Sequence, residues 1–173
     1  MIIRRCEQSD IASVGQFYDK VVRYLDEHIN YPKWQYKQYP SESSVRAETD
    51  NGSQYIVEED GEMIGAFVFN DDPQGDYSKG KWKRDLPEDS FMVIHGLAID
   101  PEWHGKGIGT RVLEYCINNA RERGFKAIRL DIVPDNTPAA HLYEKMGFTY
   151  AGTEDLGRGI EGIPEFSLYE LNF

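Results

Sequence analysis

Ile94-His95-Gly96-Leu97-Ala98-Ile99-Asp100-Pro101-Glu102-Trp103-His104-Gly105-Lys106-Gly107-Ile108-Gly109 joins an apolar strand to a glycine loop, and the loop opens a helix that runs from Thr110 to about Arg123. Glycines at alternate positions, Gly105, Gly107 and Gly109, remove the β-carbons that would keep backbone N–H groups away from an anion. The N-terminus of the following helix adds the positive end of its dipole. Together these features predict an anion site suited to a pyrophosphate.

The rest of the topology is read outward from this segment. Phe91 to Ile99 is almost continuously apolar, as in a central strand covered on both faces. Upstream, Gln54 to Glu58 and Met63 to Asn70 flank Glu59-Asp60-Gly61-Glu62, a strong hairpin signal. Between hairpin and central strand, Asp71 to Asp89 is rich in Gly, Pro, Asp and Lys and too long for a simple connection, which predicts either a mobile flap or a binding loop. Ile2 to Cys6 reads as a short strand, and Ser9-Asp10 as the cap of a helix with core residues Ile11, Val14, Phe17, Tyr18, Val21, Val22 and Leu25. The segment Asn30 to Pro40 carries four aromatics and no period, and so is a loop that wants a pocket or a partner. Ser41-Glu42-Ser43-Ser44 starts a short helix that ends near Asn51-Gly52.

Downstream, Val112, Leu113, Cys116, Ile117 and Ala120 form the inner stripe of the helix, Gly124 ends it, and Lys126 to Val133 is the next strand. This is one strand-helix-strand crossover. A further helix begins at Pro134 to Pro138, with Asn136 or Thr137 as cap, and stops at Met146-Gly147; Phe148 to Gly152 and Glu165 to Leu171 are the last strands. The pattern predicts one α+β domain over residues 1–173, with a mixed, mostly antiparallel twisted sheet and one central parallel pair. The terminal strand, Phe166 to Phe173, is a segment that could pair across a two-fold, so monomer and homodimer both stay open.

The formal net charge is -11 over 173 residues, which opposes any nucleic-acid footprint and favours the approach of a cationic substrate such as an amine. No apolar run approaches a signal h-region or a membrane span, so the expected location is cytoplasmic. Cys6 and Cys116 each sit in an apolar pattern that predicts a buried thiol, and neither their number nor their spacing suggests a metal knuckle or redox pair.

The glycine loop, taken with Asn136-Thr137-Pro138-Ala139-Ala140-His141-Leu142-Tyr143-Glu144-Lys145-Met146-Gly147-Phe148, resembles the GNAT N-acetyltransferase superfamily, and the order of elements agrees along the whole chain. The family pattern has Gln or Arg, two residues, Gly, one residue, then Gly or Ala; here His104, Gly107 and Gly109 take those places, so the first position departs from the pattern. The resemblance implies the acyl-CoA N-acyltransferase fold, with helices on both faces of a sheet that splays after the central strand to hold acetyl-CoA as cosubstrate. The pantetheine arm would then bond the backbone of Leu97, Ala98 and Ile99. The pyrophosphate would lie on the amides of His104, Gly105, Lys106, Gly107, Ile108, Gly109 and Thr110, with charge added by Lys106; Asn136, from the second motif, would bind the cofactor as well as cap its helix. The implied reaction is direct transfer of an acetyl group to an amine.

Such a transfer needs a base for the ammonium and an acid for the departing thiolate. His95 is the candidate base: its ordinary pKa is near neutrality, and it stands two residues before Leu97. His95-Gly96-Leu97-Ala98-Ile99 also resembles the corresponding strand of the arylalkylamine acetyltransferase branch, in which a histidine takes part in deprotonation. A hydrogen-bonded core histidine would look the same in sequence, and water or a carboxylate are the alternative bases. Tyr143 is the acid by carry-over from the motif, and an N–H near Leu97 or Ala98 would polarise the thioester carbonyl. The acceptor is expected to be a small primary amine, with Trp34, Tyr36 and Trp82 as its apolar or cation-binding wall and acids such as Asp72 and Asp76 as partners for an ammonium.

Two rival readings stand beside this one. Asp131 comes 22 residues after Gly109, near the spacing of a ribose-binding acid, as in a nicotinamide-dinucleotide-binding oxidoreductase. Against it, the spacing is Gly-x-Gly-x-Gly and only one crossover is present. The other rival is a GNAT-like module that holds CoA without catalysis.

Overall fold

In chain order the elements are β1 (Ile2–Arg5), α1 (Ile11–Glu27), α2 (Glu42–Asp50), β2 (Gln54–Glu59), β3 (Glu62–Asn70), β4 (Phe91–Ile99), α3 (Ile108–Glu122), β5 (Ala127–Ile132), α4 (Thr137–Lys145), β6 (Thr149–Glu154) and β7 (Phe166–Asn172). The strands form one seven-stranded sheet ordered β1-β2-β3-β4-β5-β7-β6. β4 and β5 are its parallel pair, with α3 as the crossover, and the other recorded pairings are antiparallel. The mixed α+β architecture expected from the sequence is thus present. The computed structural model describes residues 1–173, which cluster into two units.

The first unit comprises Met1–Asn30, Trp34–Phe69 and His95–Tyr115. Its core takes Ile11, Val14, Phe17, Tyr18 and Val21 from α1, with Val45 of α2, Ile56 of β2, Ala66 of β3 and Ala98 of β4. The β2–β3 turn has Asp60 at φ 52° and Gly61 at φ 83°, the left-handed pair that a two-residue hairpin demands. α2 starts with a capping box, in which Ser41 and Ser44 exchange side-chain and backbone bonds. The entry to α1 differs from expectation. Gln8–Asp10 forms a 3₁₀ turn, and the Asp10 carboxylate accepts the Glu7 N–H at 2.9 Å and an Arg4 N–H at 2.7 Å, so it caps that turn and leaves α1 without a side-chain cap.

The second unit comprises Tyr31–Lys33, Asn70–Ile94 and Cys116–Phe173. Tyr77, Phe91, Val93, Ala127, Val133, Ala151, Leu156, Phe166 and Leu168 make its core, with Trp82 and Leu86 packed on it. The Asp71 to Asp89 excursion is therefore anchored. Tyr77 is buried with its hydroxyl donating to Asp131 at 2.7 Å, Trp82 Nε1 donates to the Tyr77 carbonyl at 2.6 Å, and Lys81 N–H to the Ala151 carbonyl at 2.6 Å. β7 corrects a second expectation. It lies between β5 and β6 and pairs with both, so its edges are occupied and it has none left to pair across a two-fold. Cys6 and Cys116 are buried free thiols, and no helix is long and apolar enough to cross a membrane.

Candidate active site

β5 pairs with β4 only over Phe91–Val93, opposite Ala127–Arg129. Three residues further, Gly96 takes φ 57° inside the strand, a left-handed value that breaks regular pleating. A β-carbon there would be strained, and would stand 3.5 Å from Tyr18 Oη and 3.7 Å from Tyr39 Oη. The Gly96 carbonyl accepts the Tyr18 hydroxyl at 2.8 Å. Burial pushes the Tyr18 phenol well above its usual range and so keeps it a donor. Trp34 meets both tyrosines edge-on, with ring centroids at 6.0 Å from Tyr18 and 6.5 Å from Tyr39. Asn30 holds Trp34 in place: its Oδ1 accepts the Trp34 N–H at 3.0 Å and its Nδ2 donates to the Trp34 carbonyl at 2.7 Å. His95, buried, immediately precedes this irregular point, and Leu97, Ala98 and Ile99 follow it.

Beyond β4, Asp100 caps a 3₁₀ turn over Pro101–Trp103, its Oδ1 accepting the Glu102 N–H at 3.0 Å. That turn consumes one donor expected for an anion, because the His104 N–H is given to the Pro101 carbonyl at 3.2 Å. The His104 ring turns back, with Nε2 3.0 Å from the Ile99 carbonyl. Gly105 and Gly107 then take φ 74° and 75°, and a β-carbon at either would find nothing within 4 Å. These glycines are needed for backbone direction, not for internal packing, and they keep the loop's outer surface open. Arg111 N–H makes an i→i−4 bond to the Gly107 carbonyl at 3.1 Å, so the amides of Ile108, Gly109 and Thr110 belong to the first turn of the helix, and those of Gly105 to Gly107 precede it in the loop. Buried Ile108 anchors that turn, while Lys106 Nζ lies 4.4 Å from the Trp103 ring centroid. α3 starts at Ile108 instead of Thr110, since Gly109 is drawn into the helix. Open amides, a helix dipole and a flanking cation have the chemistry of a diphosphate site.

The second unit holds the other motif. Asn136 Oδ1 caps α4 by accepting the Ala139 N–H at 3.4 Å. Tyr143 is buried with its ring 5.6 Å from that of Phe148, and desolvation, helped by the nearby Cys116 and Asp131, raises its phenol pKa. It therefore stays protonated at neutral pH. Asp131 is fully engaged. Arg158 grips it with two N–H bonds of 2.7 and 2.8 Å in addition to the Tyr77 hydroxyl, which removes the acid that a dinucleotide reading requires for a ribose.

Of the acceptor-wall residues, Trp34 and Tyr36 are in the first unit and Trp82 in the second. The Arg129 guanidinium covers the Trp82 ring at 4.1 Å, and the indole N–H of Trp82 is spent on the Tyr77 carbonyl. Tyr36 carries two cations, Arg23 at 4.7 Å and Lys37 at 5.4 Å from its centroid, and Arg23 also hydrogen-bonds its hydroxyl. Asp72 and Asp76 cap their own turns, accepting the N–H of Gln74 at 2.8 Å and of Ser78 at 3.0 Å. The sequence reading missed Tyr18 and Tyr39. The signal for Tyr18 was a tyrosine in an apolar helical stripe, where a phenylalanine would pack as well without needing a partner for a hydroxyl.

The chain belongs to the Acetyltransferase (GNAT) family, whose model matches residues 19–148. It is 25% identical over 146 residues to an uncharacterized N-acetyltransferase of Methanocaldococcus jannaschii, covering 84% of this chain and 59% of that one. It is also 24% identical over 151 residues to the L-amino acid N-acyltransferase of Escherichia coli, covering 86% and 79% respectively. The chain spans 59% and 42% of the M. jannaschii relative and of the streptothricin acetyltransferase of Streptomyces lavendulae, the latter 34% identical over 79 residues that make up 45% of this chain. Among solved structures, a GNAT-family acetyltransferase from Streptococcus agalactiae superposes with a TM-score of 0.81 at 18% identity, covering 99% of this chain and 95% of that one. An acetyltransferase from Salmonella typhimurium, solved with its cofactor acetyl-CoA, gives 0.66 at 20% identity over 99% and 93%. Both share the fold.

Proposed function

We propose that residues 1–173 act as one acetyl-CoA-dependent N-acetyltransferase domain that moves an acetyl group directly to a small primary amine. The observation that carries this reading is the continuous path from the Gly96 irregularity through Leu97–Ile99 to the open, positive-φ glycines at the mouth of α3. It supplies strand backbone beyond the β5 pairing, then a donor-rich loop. Bound acetyl-CoA brings an acetyl group already activated as a thioester. Leu97, Ala98 and Ile99 hold the pantetheine arm through backbone bonds. The amides of Gly105 to Thr110 and the Lys106 ammonium hold the pyrophosphate, flanked by the exposed His104 ring, and Asn136 keeps α4 in register through its cap.

His95 removes a proton from the acceptor ammonium, since an ammonium has no lone pair with which to attack. An N–H near Leu97 or Ala98 donates to the carbonyl oxygen as negative charge develops there. The Tyr143 hydroxyl gives its proton to the departing sulfur, a role supported by a buried phenol that stays protonated. The acceptor lies against Trp34, with Tyr36 at the rim; Trp82, with one face under Arg129, contributes packing of its own unit. Arg23 and Lys37 around Tyr36 favour an acceptor that carries a carboxylate as well as an amine, which is also the class named for the E. coli relative. Two buried free thiols suit a reducing, cytoplasmic location.

The test is thiol release from acetyl-CoA across a panel of L-amino acids, arylalkylamines, polyamines and peptides with free N-termini. Turnover of a small amine, with L-amino acids ahead of amines that lack a carboxylate, is the expected result. Turnover of peptides alone would refute the assignment of acceptor class, and acetyl-CoA binding without any turnover would favour a non-catalytic module.

A further inference from the structure

Helix α1 touches the irregular strand, the turn and the glycine loop in succession, each through one side chain. Tyr18 donates to the Gly96 carbonyl at 2.8 Å, Lys20 Nζ lies 2.6 Å from Asp100 Oδ2, and the Tyr24 ring stands edge-on to the His104 ring at 6.2 Å and 88°. The contacts advance in the same direction along both segments. Tyr24 is itself fixed, since His28 stacks on it at 4.0 Å and places Nδ1 2.8 Å from its carbonyl.

The two residues contacted beyond β4 shape the turn that aims the loop. Asp100 is buried, with one carboxylate oxygen spent on the Glu102 N–H and the other on Lys20. His104 closes the same turn from its far end through the Ile99 carbonyl. Glu62 and Glu102 also face Lys20, which is therefore the cation balancing three carboxylates at the entrance to the glycine loop. We propose that Lys20 and Tyr24 are positioning residues for the phosphate-binding loop, holding Asp100 and His104 so that the amides of Gly105 to Thr110 point at a diphosphate. The inference rests on the reading of this loop as the CoA pyrophosphate site.

Lys20 is 53% exposed, so its ion pair adds little to the stability of the fold. Its loss acts on the ligand. The turn loses its tie to α1, and an unbalanced carboxylate is left facing an incoming polyanion. The experiment compares wild type, Lys20→Met, Lys20→Arg and Tyr24→Leu by calorimetric titration with CoA, and by initial rates with acetylpantetheine, a donor that lacks the pyrophosphate. Lys20→Met is expected to weaken CoA binding about tenfold, Lys20→Arg to restore it to within about twofold, and Tyr24→Leu to weaken it by a smaller factor. The KM for acetylpantetheine should not move, and the melting temperature should fall by no more than a few degrees, because the lysine of this pair is half exposed. CoA binding by Lys20→Met equal to wild type, or equal losses with CoA and acetylpantetheine, would overturn the proposal. A wild-type protein that fails to bind CoA would instead overturn the pyrophosphate reading on which it rests.

Discussion

Tyr143→Phe is expected to turn over about a hundredfold more slowly than the wild type while binding CoA with an affinity unchanged to within about twofold. The substitution deletes one oxygen and keeps the ring against Phe148, so the packing of α4 survives. What disappears, on the proposed role, is the proton for the departing sulfur. A hundredfold corresponds to about 2.7 kcal/mol of transition-state stabilisation, in the range expected for a positioned general acid. Steady-state rates and calorimetry on the same preparation separate the two quantities, and equal turnover in the variant would remove Tyr143 from the acid role.

Glu170→Ala is expected to cost about 3–5 kcal/mol of stability and to lower the melting temperature by about 10 °C. Glu170 is 1% exposed and faces Arg129, 3% exposed, whose guanidinium is sandwiched between Trp82 at 4.1 Å and Phe91 at 4.4 Å. Their closest approach is 3.8 Å between Nε and Oε2, and neither atom has a hydrogen-bond partner, so the pair is held by charge in a poorly solvated place. Burial pulls the Arg129 pKa down, and Glu170 opposes that shift. Removing the carboxylate leaves the buried Arg129 cation without its counter-charge, with only the Arg84 carbonyl at 2.9 Å as a side-chain hydrogen-bond acceptor, and also strips the Lys83 N–H of its 2.6 Å acceptor. A double variant, Arg129→Met with Glu170→Leu, removes both charges and should recover much of the loss. Thermal unfolding of the single and double variants checks both statements; a drop of under about 2 °C for Glu170→Ala would show that the buried pair is not the constraint described.

Much of this architecture was legible because local chemistry and tertiary role coincide. Asp60-Gly61 specifies its hairpin turn whatever packs around it, Ser41 and Ser44 carry both halves of a capping box, and the apolar run of β4 can only be a covered strand. The glycine loop was legible for the same reason, since positive φ at Gly105 and Gly107 is a property of the residue type. What escaped the sequence were choices between partners distant along the chain. Asp10 reads as a helix cap until Arg4 claims its carboxylate, and Asp131 reads as a ribose acid until Tyr77 and Arg158 saturate it. The Asp71 to Asp89 segment has the composition of a free loop, yet Tyr77 and Trp82 pin it. The expected donors on the glycine loop lost His104 because a 3₁₀ turn without strong sequence periodicity took its N–H.

Direct attack within a ternary complex is the central chemical claim. It is tested by initial rates over a grid of acetyl-CoA and the best amine of the panel, read with the intact mass of the protein incubated with acetyl-CoA alone. Intersecting reciprocal plots, and a protein whose mass is unchanged, are the results this account predicts. Parallel plots, together with a protein heavier by one acetyl group that passes to the amine on addition, would contradict it and assign the first attack to a side chain of the enzyme.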